Sequence, residues 1–455
     1  MATNIEKLII SHNKDAQNRK MVAFYDRKST MEKMGIARSE TAHSAFLANL
    51  LKSDNGLGLE ESAIMWLLHI LIEREDNATA YNSTSSKSPI PTDVKAAVLS
   101  QTLKYDIEEI TTEKVIDDVA HSYFAVNYKG KKCDDRLDIY IKLKVNGLSV
   151  KYLEIVIENK VLQDENGPKS KNSSGYDSLF QTQRYYTACS YNKSSDTAQL
   201  FVFLTPDEVE EETKAKDKHF IQISYQDVLD TIIIPQLDNN MLTSNERQEL
   251  ENYVDALNLP TLDIQAKKRI VMAMTKEART DKQTYLKKNK ELIINVIKAK
   301  EKEASNSSSL TQEEQILVSF ADKRKNLFAA HGMDFDTFDK SKKYFVFITD
   351  GATYRIAHLC TADVAVNFAK LYYKYNSGSS IGQLNNDFAN VKPNIFSVCN
   401  VQKNNTNSAL YVKIANGVYF PKNIWANNYF NKLLTMIDIT NNVSKKFKYE
   451  VIKID

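Results

Sequence analysis

Residues 131–160, KKCDDRLDIYIKLKVNGLSVKYLEIVIENK, contain two runs in which apolar side chains occupy every second position. The alternating apolar residues are Leu137, Ile139, Ile141, Leu143 and Val145 in the first run, and Leu153, Ile155 and Ile157 in the second. Alternation of this kind indicates a half-buried strand. Asn146-Gly147 between the runs is a turn signal. The stretch is therefore predicted to form a β-hairpin.

The other face of this hairpin carries Asp138, Glu158 and Lys160. A two-residue Asn-Gly loop would set the polar face of one strand against the apolar face of the other, and a register shifted by one residue exchanges every side chain between the faces. A loop that covers residues 146–150 instead places Asp138 opposite Glu158. Directly opposed side chains are about 5 Å apart at Cβ, close enough for two carboxylates to share one divalent cation.

Two carboxylates together with a substrate phosphate suit Mg²⁺, which takes oxygen ligands at about 2.1 Å and keeps several waters. Lys160 lies two residues beyond Glu158 on the same side, where it could orient the attacking water or stabilise developing negative charge. The competing interpretation is a hairpin whose charged face simply meets solvent. The motif alone does not decide between the two.

Length, composition and charge limit the kinds of protein that this chain can be. The 455 residues allow two or three domains, and 42% hydrophobic with 26% charged residues is ordinary for a soluble globular chain. The net charge of +2 implies that any basic surface must be local. No apolar run approaches the roughly 20 residues that span a membrane. Four widely spaced cysteines argue against a zinc module or disulfide framework, so we expect a cytoplasmic protein without a membrane partner.

A domain boundary is predicted at residues 305–309, SNSSS, just before a capping-box pattern at 311–314, TQEE. The first domain, residues 1–304, would hold the hairpin, N-terminal helices and a helical extension. The second, residues 311–455, alternates short strands with helices and carries no catalytic motif. We expect it to be an α+β domain for recognition or partner binding.

Other candidate elements flank the hairpin. A helix over 37–52 would bring Glu40 into its first turn, although a Glu there is favourable with the helix dipole in any protein. A strand is predicted at 119–128 and a buried strand at 199–205. A helix over 176–190 places Gln181 and Tyr185 on one side, where they could bond a phosphate or a water at the metal. A solvated helix face explains both residues equally well.

This order of elements resembles the core of the PD-(D/E)XK nuclease superfamily, and within it the bacterial family with four short motifs, E-x-x-H-S, R-x-D-I, I-E-N-K and Q-x-x-R-Y-Y. They stand here, in order, at residues 40–44, 136–139, 157–160 and 181–186. The resemblance covers roughly residues 35–235. It implies a restriction endonuclease-like fold of mixed α/β class, with a central mixed sheet flanked by helices and a smaller C-terminal α+β domain.

The resemblance also implies roles for individual residues. Asp138 and Glu158 would hold Mg²⁺, or Mn²⁺ as its substitute, with the backbone carbonyl of Asn159 as a further ligand. Lys160 would position the attacking water and Glu40 would support the metal or its water. The other implied site residues are Gln181 and Tyr185, which would complete the catalytic site, and His43, Ser44, Arg136 and Arg184, which would contact nucleic acid.

The expected function is therefore that of a metal-dependent nuclease, with DNA preferred over RNA as substrate, in phage defence or restriction. One alternative is a non-catalytic module that keeps the fold and binds nucleic acid or protein. Another is cleavage only beside a partner such as an ATPase or methyltransferase, since the chain has no G-x-x-x-x-G-K-[ST] loop of its own. Nucleases that cut both strands are often dimers, so a homodimer is a further expectation.

Overall fold

The computed structural model describes residues 3–54, 56–57, 59, 62–78, 80, 88–128, 133–161, 165–169, 175–191, 193–206, 214–238, 242–263, 268–305, 309–337, 344–350, 353–376, 383, 411–415, 418–421, 430–443 and 447–453. By its internal contacts the chain divides into two units, which are Arg27–Ala278, and Met1–Asp26 together with Arg279–Asp455. The boundary predicted at 305–309 falls within the second of these units. The separate roles predicted for two domains remain predictions.

The helices are α1 Asn4–Lys14, α2 Ala16–Tyr25, α3 Thr30–Lys33, α4 Glu40–Leu50, α5 Ser62–Arg74, α6 Thr92–Leu99, α7 Ile116–Val119, α8 His121–Asn127, α9 Gln181–Cys189, α10 Tyr225–Val228, α11 Ile234–Leu237, α12 Ser244–Asn258, α13 Lys276–Lys288, α14 Lys290–Ser305, α15 Gln312–Asp322, α16 Lys325–Ala330, α17 Thr361–Asn376 and α18 Phe430–Val443. A π-helical turn, Leu229–Ile233, joins α10 to α11. Within the described ranges, no helix combines the length and the apolar character needed to cross a membrane.

The strands are β1 Tyr105–Val115, β2 Arg136–Val145, β3 Tyr152–Asn159, β4 Thr197–Thr205, β5 Phe220–Ser224, β6 Thr261–Asp263, β7 Lys268–Ile270, β8 Tyr344–Asp350, β9 Thr353–Leu359, β10 Tyr411–Ala415, β11 Val418–Pro421 and β12 Phe447–Lys453. The first five form one sheet in the order β1-β2-β3-β4-β5. β1, β2 and β3 pair antiparallel, whereas β3, β4 and β5 pair parallel. This central mixed sheet, flanked by helices, confirms the predicted fold class.

The hairpin formed by β2 and β3 has the register that its apolar pattern requires. Ile139 lies opposite Ile157, and the Val145 N–H donates to the carbonyl of Lys151 at 2.9 Å. The connecting loop therefore covers residues 146–150, as predicted. Continued by one residue pair, the same register places Asp138 opposite Glu158.

Both faces of the sheet are covered near this end of the hairpin. One face packs its alternating apolar side chains, including Ile139 and Ile155, into a large core with residues of α4 and α5. On the opposite face, Tyr140 and Val156 pack with Tyr185 of α9 and with aromatic side chains of β4. A hairpin face that simply meets solvent is therefore excluded at Glu158, which is 0% exposed.

The strand predicted at residues 119–128 is wrong, because this segment contains helix α8. Its buried residues Ala120, Tyr123 and Phe124 recur at a spacing of three and four, which is the helical pattern. The strand that precedes the hairpin is β1 instead. Its alternation is hard to recognise in the sequence because a register shift between Ile107 and Glu109 interrupts the pairing with β2.

In the second unit, the C-terminal residues form a smaller α+β assembly with its own core. A three-stranded antiparallel sheet has the order β12-β8-β9, and β10 pairs with β11. Side chains of α17 and α18 pack with these strands around Phe368, Phe420 and Tyr449. Thr311 forms the predicted capping box with Glu314 at the start of α15.

Candidate active site

Two carboxylates meet where the β2–β3 pair ends. Asp138 is the third residue of β2, Glu158 is the last but one of β3, and the strand register sets them opposite each other. Glu158 is fully buried. Oδ2 of Asp138 accepts a hydrogen bond from the backbone N–H of Asn159 at 2.7 Å, which fixes the Asp138 side chain against the end of β3.

Lys160 brings a positive charge into contact with these acids. Its Nζ lies 2.5 Å from Oε1 of Glu158 and 3.3 Å from Oε2 of Glu40. Glu40 is the first residue of α4, where Ser39 is the N-cap. The other carboxylate oxygen of Glu40 accepts from the Val161 N–H at 3.2 Å. Helix α4 therefore delivers a third carboxylate, and Lys160 lies between Glu40 and Glu158.

The side chain of Asn159 fastens the end of β3 to its surroundings. Its Nδ2 donates to Ser44 Oγ at 3.0 Å and to the carbonyl of Glu40 at 3.2 Å, and its Oδ1 accepts from the Tyr225 hydroxyl at 2.7 Å. Asn159 is fully buried. The amide therefore links the strand to α4 and α10, while the role of its backbone carbonyl as a metal ligand remains a prediction.

Helix α9 contributes Gln181 and Tyr185. The Gln181 amide donates to the Tyr185 hydroxyl at 2.8 Å, and that hydroxyl donates to the carbonyl of Arg136. Burial raises the pKa of Tyr185 well above its usual value, and the nearby charge of Glu158 raises it further, so the phenol stays protonated. Oε1 of Gln181 is buried and accepts no hydrogen bond within the described part of the chain. The structure thus brings this pair beside the acids.

Three of the four residues expected to contact nucleic acid, His43, Ser44 and Arg184, are buried. The expectation that these three side chains contact nucleic acid is therefore corrected. The ring nitrogens of His43 bond the Tyr253 hydroxyl and the carbonyl of Ala37, and burial lowers its pKa to about 4. Ser44 is 1% exposed, and Arg184 is 4% exposed. Such side chains have no surface to offer a polynucleotide, so they have structural roles.

Arg184 shows what that structural role is. Its Nε donates to Oδ2 of Asp135 at 2.9 Å, and its Nη1 donates to the carbonyls of Gly167 and Leu179. The side chain therefore joins α9 to the residue just before β2. Arg136 is exposed, and its contact with nucleic acid remains a prediction.

The electrostatics of the site are dominated by its acids, of which Glu158 is fully buried and Asp138 is half-buried. Burial raises the pKa of Asp138 to about 6. Burial, and next the charge of Asp138, raise the pKa of Glu158 well above its usual value. Burial disfavours the charged form of Lys160, but the charges of Glu158, Glu40 and Asp138 outweigh this effect and raise its pKa. Three carboxylates therefore share one ammonium group.

The donor set fits a hard divalent cation. Oε2 of Glu158 is buried and has no hydrogen-bond partner among the described residues. Carboxylate oxygens are the side-chain ligands that Mg²⁺ prefers, and Mg²⁺ commonly binds through one or two of them while keeping waters. In the described ranges, no group of three or more His, Cys, Asp or Glu side chains could hold a metal ion. A cation here would therefore depend on Asp138 and Glu158, with its other ligands from the backbone, solvent or substrate.

Three residues that shape this site were not identified from the sequence. Glu113 of β1 falls opposite Asp138 in the register of β1 with β2, and its charge helps to raise the pKa of Asp138. Its φ of 54° is a conformation that non-glycine residues seldom adopt. Tyr225 holds Asn159, and Glu165 accepts hydrogen bonds from the start of α9. A correct assignment of β1 could have identified Glu113, but no sequence spacing identifies the other two.

Comparison with known proteins gives one family. A family model described as the PD-(D/E)XK nuclease superfamily matches residues 30–322. No curated protein and no solved structure gives a significant match. The matched range covers more than half of the chain and includes Glu40, Asp138, Glu158, Lys160 and Gln181. The chain therefore belongs to the PD-(D/E)XK nuclease superfamily.

Proposed function

We propose that the chain is a metal-dependent nuclease that hydrolyses phosphodiester bonds, with DNA as the preferred substrate. The observation that carries this proposal is the opposition of Asp138 and Glu158 at the end of two paired strands, with Lys160 Nζ 2.5 Å from Glu158. Membership of a nuclease superfamily supports the same reaction class.

Asp138 and Glu158 would hold Mg²⁺, for which Mn²⁺ would substitute. When bound, the cation would neutralise phosphate charge and make a water easier to deprotonate. The ammonium group of Lys160 would stabilise the negative charge that develops on the phosphoryl oxygens. Glu40 holds that ammonium group from the other side, so Lys160 stays charged and in place.

Residues around the acids keep these groups in fixed positions. The Asn159 amide ties β3 to α4 and α10, and its N–H orients the carboxylate of Asp138. Gln181 presents a buried amide oxygen beside the site, available to accept a hydrogen bond from a water. Prepositioned groups lower the barrier because little reorganisation is needed during the reaction.

The biological setting that we propose is phage defence or restriction in the cytoplasm of a bacterium. The support is the resemblance of the four motifs to those of a bacterial restriction-like family. Residues 311–455, which carry no catalytic motif, would then serve recognition or partner binding.

The test is cleavage of supercoiled plasmid with Mg²⁺ by the wild type, Asp138→Ala, Lys160→Ala and the control Lys142→Ala. Lys142 lies on β2 in a partly exposed ion pair with Glu108, four residues from Asp138. We expect both site variants to lose at least about 100-fold in rate, and the control to cleave like the wild type. Equal activity in all four proteins would remove Asp138 and Lys160 from the reaction.

The same assay distinguishes the other interpretations. A binding module that keeps the fold would bind plasmid or RNA without cleaving either, in the presence of any divalent cation. Cleavage by the purified chain would show that no partner ATPase or methyltransferase is required. Parallel assays with RNA and with single-stranded DNA determine the substrate class.

A further inference from the structure

Glu165 is a buried acid that the reaction described above does not use. Its side chain is 7% exposed. Oε1 accepts from the N–H and the hydroxyl of Thr182, both at 2.6 Å, and Oε2 accepts from the backbone N–H of Lys216 at 2.7 Å. Burial of a carboxylate is costly unless hydrogen bonds replace its water. Three such bonds therefore hold Glu165 between α9 and the segment that precedes β5.

Two of these bonds cap the helix that carries Gln181. The N-cap residue of α9 is Phe180, whose side chain makes no capping hydrogen bond. Another segment serves the first turn instead, because the Gln181 N–H donates to the carbonyl of Asn166 at 2.9 Å and the Thr182 N–H donates to Glu165. A carboxylate at this end also suits the helix dipole. Glu165 and Asn166 therefore fix the start of α9.

Further contacts hold the first turns of α9 on two sides. The Thr182 hydroxyl, which donates to Glu165, accepts from the Asp217 N–H at 3.0 Å. Nη1 of Arg184 donates to the carbonyl of Gly167 at 3.2 Å. Loss of the Glu165 carboxylate would leave the N–H of Thr182 without its acceptor while these outer contacts remain. The expected effect is a local shift of the first turn of α9.

A chain of hydrogen bonds orients the amide of Gln181. The Tyr185 hydroxyl donates its single proton to the carbonyl of Arg136, so it can only accept from Gln181. Nε2 of Gln181 must therefore face Tyr185, which leaves Oε1 on the other side of the amide. That oxygen is buried and has no hydrogen-bond partner among the described residues. The position suits a donor that solvent or substrate supplies.

The acids lie close to this amide. Burial and, next, the charge of Glu158 raise the pKa of Tyr185, and the charge of Asp138 adds to them. The phenol that bonds Gln181 therefore lies within the field of both carboxylates. A water between the acids and Gln181 would find an acceptor on each side, because carboxylates and amide oxygens both accept.

We propose that Glu165 is a positioning residue, which holds Gln181 where its Oε1 accepts a hydrogen bond from the attacking water. This proposal rests on the proposed nuclease function and adds a residue that touches neither the substrate nor the reacting atoms. A fixed acceptor keeps the water in one orientation toward the phosphate. A misplacement of about 1 Å caused far from the chemistry can cost about 100-fold in rate.

The test is a double-mutant cycle on plasmid cleavage by the full chain with Mg²⁺, using Glu165→Ala, Gln181→Ala and the double variant. Asp93→Ala is the matched control, since the Asp93 carboxylate accepts from both the N–H and the hydroxyl of Ser149, at the opposite end of the β2–β3 hairpin. Thermal unfolding checks that each variant is folded. Glu165→Gln, which has nearly the same shape, takes the place of Glu165→Ala if the latter does not fold.

We expect Glu165→Ala to cleave about 10- to 100-fold more slowly at saturating plasmid with KM unchanged, because Glu165 contacts no substrate. If Glu165 acts through Gln181, the double variant should be at most about threefold slower than Gln181→Ala. Asp93→Ala should keep the wild-type rate. Glu165→Ala should also keep the wild-type affinity for Mn²⁺, since it leaves both acids in place.

Effects that multiply in the double variant, or a wild-type rate in a folded Glu165 variant or in Gln181→Ala, would overturn this proposal alone. Weaker Mn²⁺ binding by Glu165→Ala would also overturn it, since Glu165 would then support the acids rather than Gln181. A wild type that cleaves no nucleic acid with Mg²⁺ would overturn the proposed function.

Discussion

Asp138 is a half-buried acid that lies opposite the fully buried Glu158. Desolvation raises the pKa values of both Asp138 and Glu158. Like charges that are brought together out of water destabilise the fold, so their retention is typical of a functional site. Removing one of them should therefore stabilise the protein while it abolishes the reaction.

We expect Asp138→Asn to stabilise the metal-free protein by about 1–2 kcal/mol at pH 7. The pKa of Asp138 is near 6 in the folded chain and lower in the unfolded chain, so the folded state holds the extra proton between these values. Wild-type stability then falls as the pH rises from about 4 to 6, and the variant lacks this dependence. Urea unfolding in EDTA, followed by Trp66 fluorescence in a Trp425→Phe background, measures the difference. A variant less stable than the wild type at pH 7 would contradict the argument.

Arg184 and Arg136 allow a second test at the scale of single residues. Arg184→Ala leaves Asp135 without its guanidinium partner, and breaking such a buried pair costs about 3–5 kcal/mol. Arg136 is exposed, so Arg136→Ala should change stability by less than about 0.5 kcal/mol. Urea midpoints of the two variants provide the comparison. Similar stability losses in both would refute the structural role assigned to Arg184.

At the scale of elements, local patterns predicted the hairpin but not the strand beside it. Alternation along β2 and β3 specifies both the faces and the register, because every slip by one residue would bury charge. β1 has a register shift and a residue with positive φ, so its pattern is broken. Glu113 could therefore not be placed near Asp138 from the sequence. Likewise, Tyr225 and Glu165 reach the site through tertiary packing that no spacing encodes.

The link between β3 and α10 leads to a prediction at this scale. Tyr225→Phe removes the hydroxyl that donates to Oδ1 of Asn159 and leaves that buried acceptor without a partner. We expect a loss of about 1–3 kcal/mol in unfolding free energy, together with slower plasmid cleavage. Tyr191→Phe, a partly exposed position, is the matched control. Full stability and full activity in Tyr225→Phe would show that the link does not hold the site.

At the scale of the whole molecule, the division of the chain follows contacts that the sequence does not reveal. In the second unit, His12 of α1 bonds the Tyr285 hydroxyl, and Asn18 of α2 exchanges amide hydrogen bonds with Asn289. These partners lie more than 270 residues apart in sequence. A composition change such as that at 305–309 can suggest a boundary, but it cannot show which distant helices pack together.

We therefore expect a fragment of residues 27–278 to fold by itself, because it contains the central sheet, the helices on both faces and every candidate site residue. Its urea midpoint, reported by Trp66, should match that of the full chain. A fragment of residues 1–304 serves as the comparison, since it corresponds to the boundary predicted from sequence. An unfolded 27–278 fragment beside a folded 1–304 fragment would favour the sequence boundary.

The most direct test of the shared cation site is Mn²⁺ affinity, measured on the full chain from the loss of the free-ion electron paramagnetic resonance signal. The wild type should bind Mn²⁺, and Glu158→Gln should weaken that binding at least about 10-fold. Asp106→Asn, at the far end of β1 from Glu113, controls for the loss of one negative charge. Equal affinity in the wild type and Glu158→Gln would contradict a cation held jointly by Asp138 and Glu158.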